Sequence, residues 1–521
     1  MRGSMKARLV LLALLAVLAA SLAAGCGGGA DDGGDAAMLA PPQAPVFIDF
    51  VVKPEGEMKA NIDALAQSIA GVDDLGGLIA SELEDSAAEG GESFDFEKEV
   101  EPWLGKRAGL FLREYDGEDF NGFGVAIETT DEGAAADFVD KVSAGEDEPA
   151  RRGSYEGVDF RVATDDGTTF GVFDGFVALA ETEAIFKAMV DASGGESLGG
   201  EAAYSDAVAN LPADSAADVF VDVGGLIDES GGEIDGETQL FLDSVGIEPA
   251  DATAVASLVP GSDHLEIDFS TNLSGDKPPS GDASQLLGEL PADSIAALAS
   301  AEFGDRFSEG IDRIDAEGVP GEIPPHQLKK ALKQAGVDLD SIAGSVGDAG
   351  VFVQGSSETK LEGALVLEAE DAKQAKNTVS NLGFFLRQSG TPGVRPVRGS
   401  ELTGFIVNSP DLDRPVLVAA KGERIAISYG TLAAAAGLSG DATLGETPGY
   451  KEAVAALGET PVAAFVAGPA ALKLASTLIP PEDAAGFREA KPYLGKIDYL
   501  AGGSEASGGL ATGKVIVGLR R

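Results

Sequence analysis

Short runs in which apolar residues alternate with polar ones, or follow one another unbroken, recur along the chain. Gly109–Leu112, Gly124–Glu128, Val158–Val162, Phe176–Ala180, Ala217–Val223 and Leu265–Phe269 have the period of two, or the short apolar length, that predicts strands. Alternation begins at Val46-Phe47-Ile48-Asp49-Phe50, which predicts the first folded strand. Between the runs, Gly133–Val142, Glu183–Ala192 and Ala202–Ala209 repeat apolar residues at helical spacing. Strands come in pairs and helices follow singly, an α+β pattern of mainly antiparallel sheet with helices packed on one face. Asp131 and Asp371 each stand shortly before such a helix and read as caps or first-turn charges rather than as ligands.

The pattern occurs twice. Ala108-Gly109-Leu110-Phe111 is echoed by Ala349-Gly350-Val351-Phe352, and Val125-Ala126-Ile127-Glu128 by Leu365-Val366-Leu367-Glu368. Farther on, Leu198-Gly199, Tyr204 and Ala207-Val208 meet Leu444-Gly445, Tyr450 and Ala453-Val454, at an offset that drifts only from about 240 to 248. The pentapeptide Leu211–Ser215 also recurs, at Leu290–Ser294. Two homologous domains are expected, at 46–275 and 290–521, joined by a polar linker at 276–289.

Ahead of the first domain, Arg2, Lys6 and Arg8 precede an uncharged apolar run from Leu9 to Ala20, then Leu22-Ala23-Ala24-Gly25-Cys26. This reads as a secretory signal rather than a membrane span, because a spanning helix needs about 20 apolar residues and this core is shorter. Cys26, the single cysteine of the 521 residues, closes the segment. The arrangement resembles a bacterial lipoprotein signal. That resemblance implies cleavage after residue 25, a diacylglyceryl group on Cys26 and an extracytoplasmic protein held to the cell membrane by its N-terminal lipid. From Gly27 to Pro45 the chain is mostly Gly, Ala, Asp and Pro with no basic residue, so 26–45 reads as the lipidated cysteine and a flexible tether.

Composition narrows the function classes. With 37 basic and 87 acidic residues the formal charge is -50, which repels nucleic acid and anionic headgroups and excludes a nucleic-acid partner. Apolar residues at 44% suffice for real cores. One cysteine permits no internal disulfide, so stability rests on packing.

Candidate chemistry is sparse. The two histidines, His264 in an expected hairpin and His326 beside Pro324-Pro325, read as surface residues. Gly195-Glu196-Ser197-Leu198-Gly199 fits the G-x-S-x-G nucleophile elbow, but that elbow needs a strand before the serine, and here a helix precedes it. The second half carries Thr443 where Ser197 stands. A serine hydrolase is therefore a remote alternative. Gly117-Glu118-Asp119-Phe120-Asn121-Gly122 with Glu128 has an EF-hand-like spacing, yet its first ligand position is glycine and its end falls in a strand. It reads as a hairpin loop whose Asn-Gly supplies positive φ. Its counterpart, Gly355–Gly363, lacks the carboxylates. No cofactor or metal site is expected, and the chain reads as non-enzymatic.

The strand and helix order, the Pro-Ala-Asp-Ser strand entry and Phe94-Asp95-Phe96-Glu97-Lys98-Glu99-Val100-Glu101-Pro102-Trp103-Leu104-Gly105 resemble the bacterial domain-of-unknown-function 3352 family over most of 41–521. The resemblance implies no reaction, cofactor or catalytic residue. Two roles remain: a binding or structural protein of the cell envelope, whose partner is an envelope protein or polymer, and a carrier of a lipophilic ligand in an apolar cavity, similar in layout to lipid-anchored actinobacterial carriers.

Overall fold

The computed structural model describes residues 34–89, 94–115, 120–144, 150–164, 166–209, 211–229, 252–272, 281–317, 324–334, 339–399, 401–410, 412–480, 484–507 and 510–520. Two compact units divide the chain, one running to Pro278 with Gly508–Thr512, the other Pro279–Ser507 with Gly513–Arg520.

The first unit contains β1 (Val46–Val51), β2 (Leu104–Tyr115), β3 (Phe120–Thr129), β4 (Arg151–Tyr155), β5 (Val158–Val162), β6 (Thr169–Phe173), β7 (Phe176–Ala180), β8 (Ala217–Asp222), β9 (Thr253–Pro260) and β10 (His264–Asn272). They pair antiparallel in the order β10–β9–β8–β1–β2–β3–β7–β6–β5–β4. Tight hairpins set the register of the outer strands. Glu156-Gly157 and Asp174-Gly175 all have positive φ, as the two central residues of a type I′ turn require.

The second unit contains β11 (Ser294–Ser300), β12 (Val346–Gln354), β13 (Glu362–Ala369), β14 (Val394–Arg398), β15 (Leu402–Val407), β16 (Val416–Lys421), β17 (Arg424–Tyr429), β18 (Ala464–Ala467), β19 (Ile497–Ser507) and β20 (Leu510–Leu519). Their order is β20–β19–β18–β11–β12–β13–β17–β16–β15–β14, strand for strand that of the first sheet. Glu128 and Glu368 stand opposite Phe176 and Arg424, the first residues of β7 and β17. The β2–β3 and β12–β13 ladders each carry a bulge near one end, at Leu104/Ala108 and Val346/Ala349.

Helices cover both faces of each sheet, not one face as the sequence pattern suggested. In β7, Phe176, Ala178 and Ala180 pack with Ile185, Phe186 and Met189 of helix Glu183–Gly194. Val177, pointing the other way, packs with Ala135 and Phe138 of helix Glu132–Ala144 and with Trp103. In the second unit Ala364 and Val366 join the cluster of Phe352 and Tyr450, while Leu367 and Ala369 join Ala375 and Val379 of helix Ala372–Gln388. Runs apolar at every position, such as Phe176–Ala180, are the mark of strands buried on both faces.

Asp131 and Asp371 act as caps. The Asp131 carboxylate accepts from the Ala134 amide at 3.0 Å, and that of Asp371 accepts from Lys373 and Gln374 at 2.7 and 2.8 Å. Two segments read as unpacked prove to be packed. Ala36–Leu39 forms a 3-10 turn whose Ala36, Ala37 and Leu39 are buried against the first core, so packing starts before Val46. Ser284–Glu289, within the expected linker, is a helix that buries Leu286 and Leu287 in the second core. The repeated pentapeptide also falls outside the shared register, because Leu211–Ser215 enters β8 whereas Leu290–Ser294 enters β11, which holds the place of β1.

Candidate functional site

The residues singled out in the sequence do not converge. Ser197 is 2% exposed, its hydroxyl faces the sulfur of Met38 at 3.5 Å, and it stands between helix Glu183–Gly194 and a 3-10 turn at Leu198–Gly200. Thr443 holds the corresponding place before the turn Leu444–Glu446. His264 opens β10 with its ring on its neighbour Asp263 at 2.9 Å, and His326, with φ of 60°, follows helix Phe303–Glu317. Gly122 has positive φ, but Asn121 pairs with Glu114 in the β2–β3 ladder, so the Asn-Gly lies within β3 rather than in a hairpin loop, and 116–119, which join the two strands, lie outside the described residues. Gly117–Asp119 and Cys26 lie outside the described residues. The Glu128 carboxylate accepts from the Lys106 and Arg107 amides at 2.8 and 3.1 Å, so it closes the β2 bulge.

That bulge delivers the residue around which a site is built. Arg107 donates from Nε to Asp49 on β1 at 2.9 Å and from Nη2 to Asp218 on β8 at 3.2 Å. Asp49 and Asp218 are directly opposite each other in the ladder. Asp218 is further held by the Ser215 hydroxyl at 2.7 Å and the Ser257 hydroxyl at 2.5 Å, so both of its oxygens have donors. Asp49 is left short. Its Oδ1 is sealed from solvent with no donor among the described residues, although its side chain as a whole is 24% exposed.

These groups floor a cleft of about 340 Å³. Phe47, Tyr204 and Phe220 form its aromatic wall, Tyr204 meeting the other two edge-on at 5.8 and 5.2 Å between centroids. Val208, Leu211 and Pro212 add apolar lining, and the exposed Asp35 also lines the cleft. Burial raises the Asp49 carboxyl to about 6, helped by the neighbouring Asp218 and Asp35 charges and opposed by Arg107. Burial also pushes the Tyr204 phenol far above its ordinary value, so it stays neutral.

The second unit builds the same sheet without this chemistry. By ladder register Asp49, opposite Gly109, corresponds to Ala299, opposite Gly350. Ala299 donates from its backbone to Ala463, which therefore takes the place of Asp218. Extending the β18–β19 register puts Gly503 at the place of Ser257, and Asp348 precedes Ala349 as Arg107 precedes Ala108. The fold itself requires none of the four polar residues. A cleft of about 470 Å³ in the second unit is an ion-paired surface, with Arg424 bridging Glu289 and Glu368. Among the described residues no group of three or more His, Cys, Asp or Glu side chains could hold a metal ion, and no helix is long and apolar enough to cross a membrane.

The raised Asp49 value makes a signed prediction. A carboxyl that titrates higher folded than unfolded contributes stability below its ordinary value near 4, and that contribution is lost as pH rises through about 6. From pH 4 to 7 the wild type should lose about 2 kcal/mol relative to Asp49→Asn, after allowance for the partial exposure of the side chain. Trp103, the single tryptophan, is buried in this unit and reports its urea unfolding by fluorescence. A difference between the two proteins that does not vary with pH would show that Asp49 does not titrate there.

The fold and cleft define a mixed helix and antiparallel-sheet protein of two similarly ordered units. The chain matches the family described as protein of unknown function DUF3352 over residues 6–505, and it belongs to that family. No curated protein matches it. Among solved structures, crystal form I of TP0453 is similar at 9% identity and a TM-score of 0.26, covering 47% of this chain and 80% of that one. Crystal form III of TP0453, also at 9% identity, has a TM-score of 0.20 and covers 78% and 98%. Likeness at this level carries no weight for fold or function.

Proposed function

We propose that the protein is a lipid-anchored, extracytoplasmic component of the cell envelope that binds a partner without chemistry, through the cleft of its first unit. The observation that carries this is the contrast between units: Asp49, Arg107, Asp218 and Ser257 line or support a cleft in the first, where the second has Ala299, Asp348, Ala463 and Gly503. A half-buried charge cluster that the sheet does not need is costly to keep. Binding is a reason to keep it. The anchor is Cys26, and the membrane is then a partner through the N-terminal lipid. The identical strand orders and matching bulges support descent of both units from one duplicated domain.

The non-catalytic half of the reading is supported by Ser197, whose burial against Met38 keeps its hydroxyl from any substrate. Nucleophilic attack needs an exposed nucleophile with a base within about 3 Å. Wild-type protein should show no turnover across a panel of esters and peptides, and Ser197→Ala should shift unfolding of the first unit by less than about 1 kcal/mol. Turnover abolished by Ser197→Ala would overturn the reading in favour of a hydrolase.

One observation favours a second reading, carriage of a lipophilic ligand. Leu298 and Val351, paired across β11 and β12, are 57% and 42% exposed, and Val351 is followed across the sheet by half-buried Leu365 and Ile427. Apolar surface of that kind suits an acyl chain.

A further inference from the structure

The chemistry of the cleft specifies what it takes, if the cleft is the binding site proposed above. Its charges do not balance. Three carboxylates, those of Asp35, Asp49 and Asp218, face the single guanidinium of Arg107. Arg107 and the two serine hydroxyls engage Asp218 fully and one oxygen of Asp49. The remaining oxygen, Asp49 Oδ1, is buried and has no donor among the described residues. An unsatisfied buried acceptor is destabilising, the more so when charged, and the second unit shows that an alanine fits this ladder position.

The walls are of the opposite kind. Tyr204 stands between Phe47 and Phe220, Val208 and Leu211 continue the surface, and the exposed Asp35 also lines the cleft. Aromatic rings attract a cation as well as an alkyl stem. An acidic floor under such walls fits a side chain that is apolar along its length and charged at its tip. An anion would meet the excess of carboxylates, and a neutral alkyl group would leave that excess unbalanced.

We infer that the cleft of the first unit binds one aliphatic cation, an ammonium or guanidinium on an alkyl stem, with its charge against the partly exposed Asp49 carboxylate and its stem along Tyr204, Val208 and Leu211. Such a group is carried by a free amine or by the lysine or arginine of a peptide. The groups facing Asp49 are Arg107 from β2, Asp218 from β8, Asp35 from the segment ahead of β1 and Tyr204 from helix Ala202–Val208. A proton and the cation compete for Asp49, so affinity falls as pH drops through about 6.

Isothermal titration of the full chain in detergent, with hexylamine, agmatine, hexanol and hexanoate and with the peptides acetyl-Gly-Lys-Gly-amide and acetyl-Gly-norleucine-Gly-amide, tests this. The cations should bind at least tenfold more tightly than hexanol or hexanoate, and about tenfold more weakly at pH 5 than at pH 7. Asp49→Asn should abolish cation binding while the Trp103 unfolding transition persists, and Asp35→Asn, which keeps the turn at Ala37 capped, should weaken it severalfold. A lysine peptide that outcompetes hexylamine would identify a protein partner, whereas equal affinities would identify a free amine. Binding of hexanol or hexanoate that matches the amines, survives Asp49→Asn and is lost in Val208→Phe would overturn the cation assignment and leave the cleft as the binding site. No binding by any probe at millimolar concentration would overturn both.

Discussion

Replacing Arg107 by Met should destabilise the first unit by about 3 kcal/mol at pH 7, with the Trp103 fluorescence transition moving to lower urea. The substitution keeps the aliphatic stem and removes the guanidinium that bridges Asp49 and Asp218, which then face each other across β1 and β8 as two like charges. Breaking a fully buried ion pair costs about 3–5 kcal/mol. Arg107, Asp49 and Asp218 are 36%, 24% and 19% exposed, which places the expected loss at the lower end. The loss should shrink at pH 5, where Asp49 takes up a proton. Adding Asp49→Ala and Asp218→Ala to Arg107→Met imitates Ala299 and Ala463 and should restore stability to within about 1 kcal/mol of wild type, because an apolar replacement of a whole buried ion cluster is close to neutral. A cost below about 0.5 kcal/mol for Arg107→Met would mean that the cluster is solvated and that its removal leaves no buried charge behind.

Much of the fold was legible where one physical signal dominated. The alternation at Val46–Phe50 and the apolar runs at Gly124–Glu128 and Phe176–Ala180 gave strands β1, β3 and β7, and the helical spacing at Glu183–Ala192 gave a helix capped by Thr182, whose hydroxyl accepts from Ile185 at 3.3 Å. Strand β4, Arg151-Arg152-Gly153-Ser154-Tyr155, carries no apolar period because it is the outermost strand of its sheet with its arginines exposed. Ala36–Leu39 was missed because a scarcity of bulky side chains suggested a tether, whereas alanines pack without bulk once a cavity is shaped for them. Helix Ser284–Glu289 has only two adjacent leucines in six residues, too short for periodicity to register. The cleft was hidden for another reason. Asp49 and Asp218 are visible as charges set into apolar alternation, and their counterparts in the second half are alanines, but which charge faces which is decided by strand pairing between segments far apart in the chain.

Cys26→Ser should remove the membrane anchor altogether. The proposed anchor rests on the basic start at Arg2 and Lys6, the apolar run to Ala20 and the single thiol of Cys26 after small residues, and serine offers no thiol. A diacyl modification is required for lasting attachment, since one acyl chain binds a bilayer only marginally. The variant is expected in the soluble fraction or as an unprocessed precursor, with the two folded units unaffected. Because the proposed place of action depends on the anchor, the most direct measurement is the intact mass of the full protein purified from membranes, taken beside that of Cys26→Ser. The account predicts a wild-type chain that begins at Cys26 and carries a covalent diacylglyceryl group, lost in the variant; a wild-type chain that keeps Met1–Gly25, carries no lipid and stays with the membrane would contradict it.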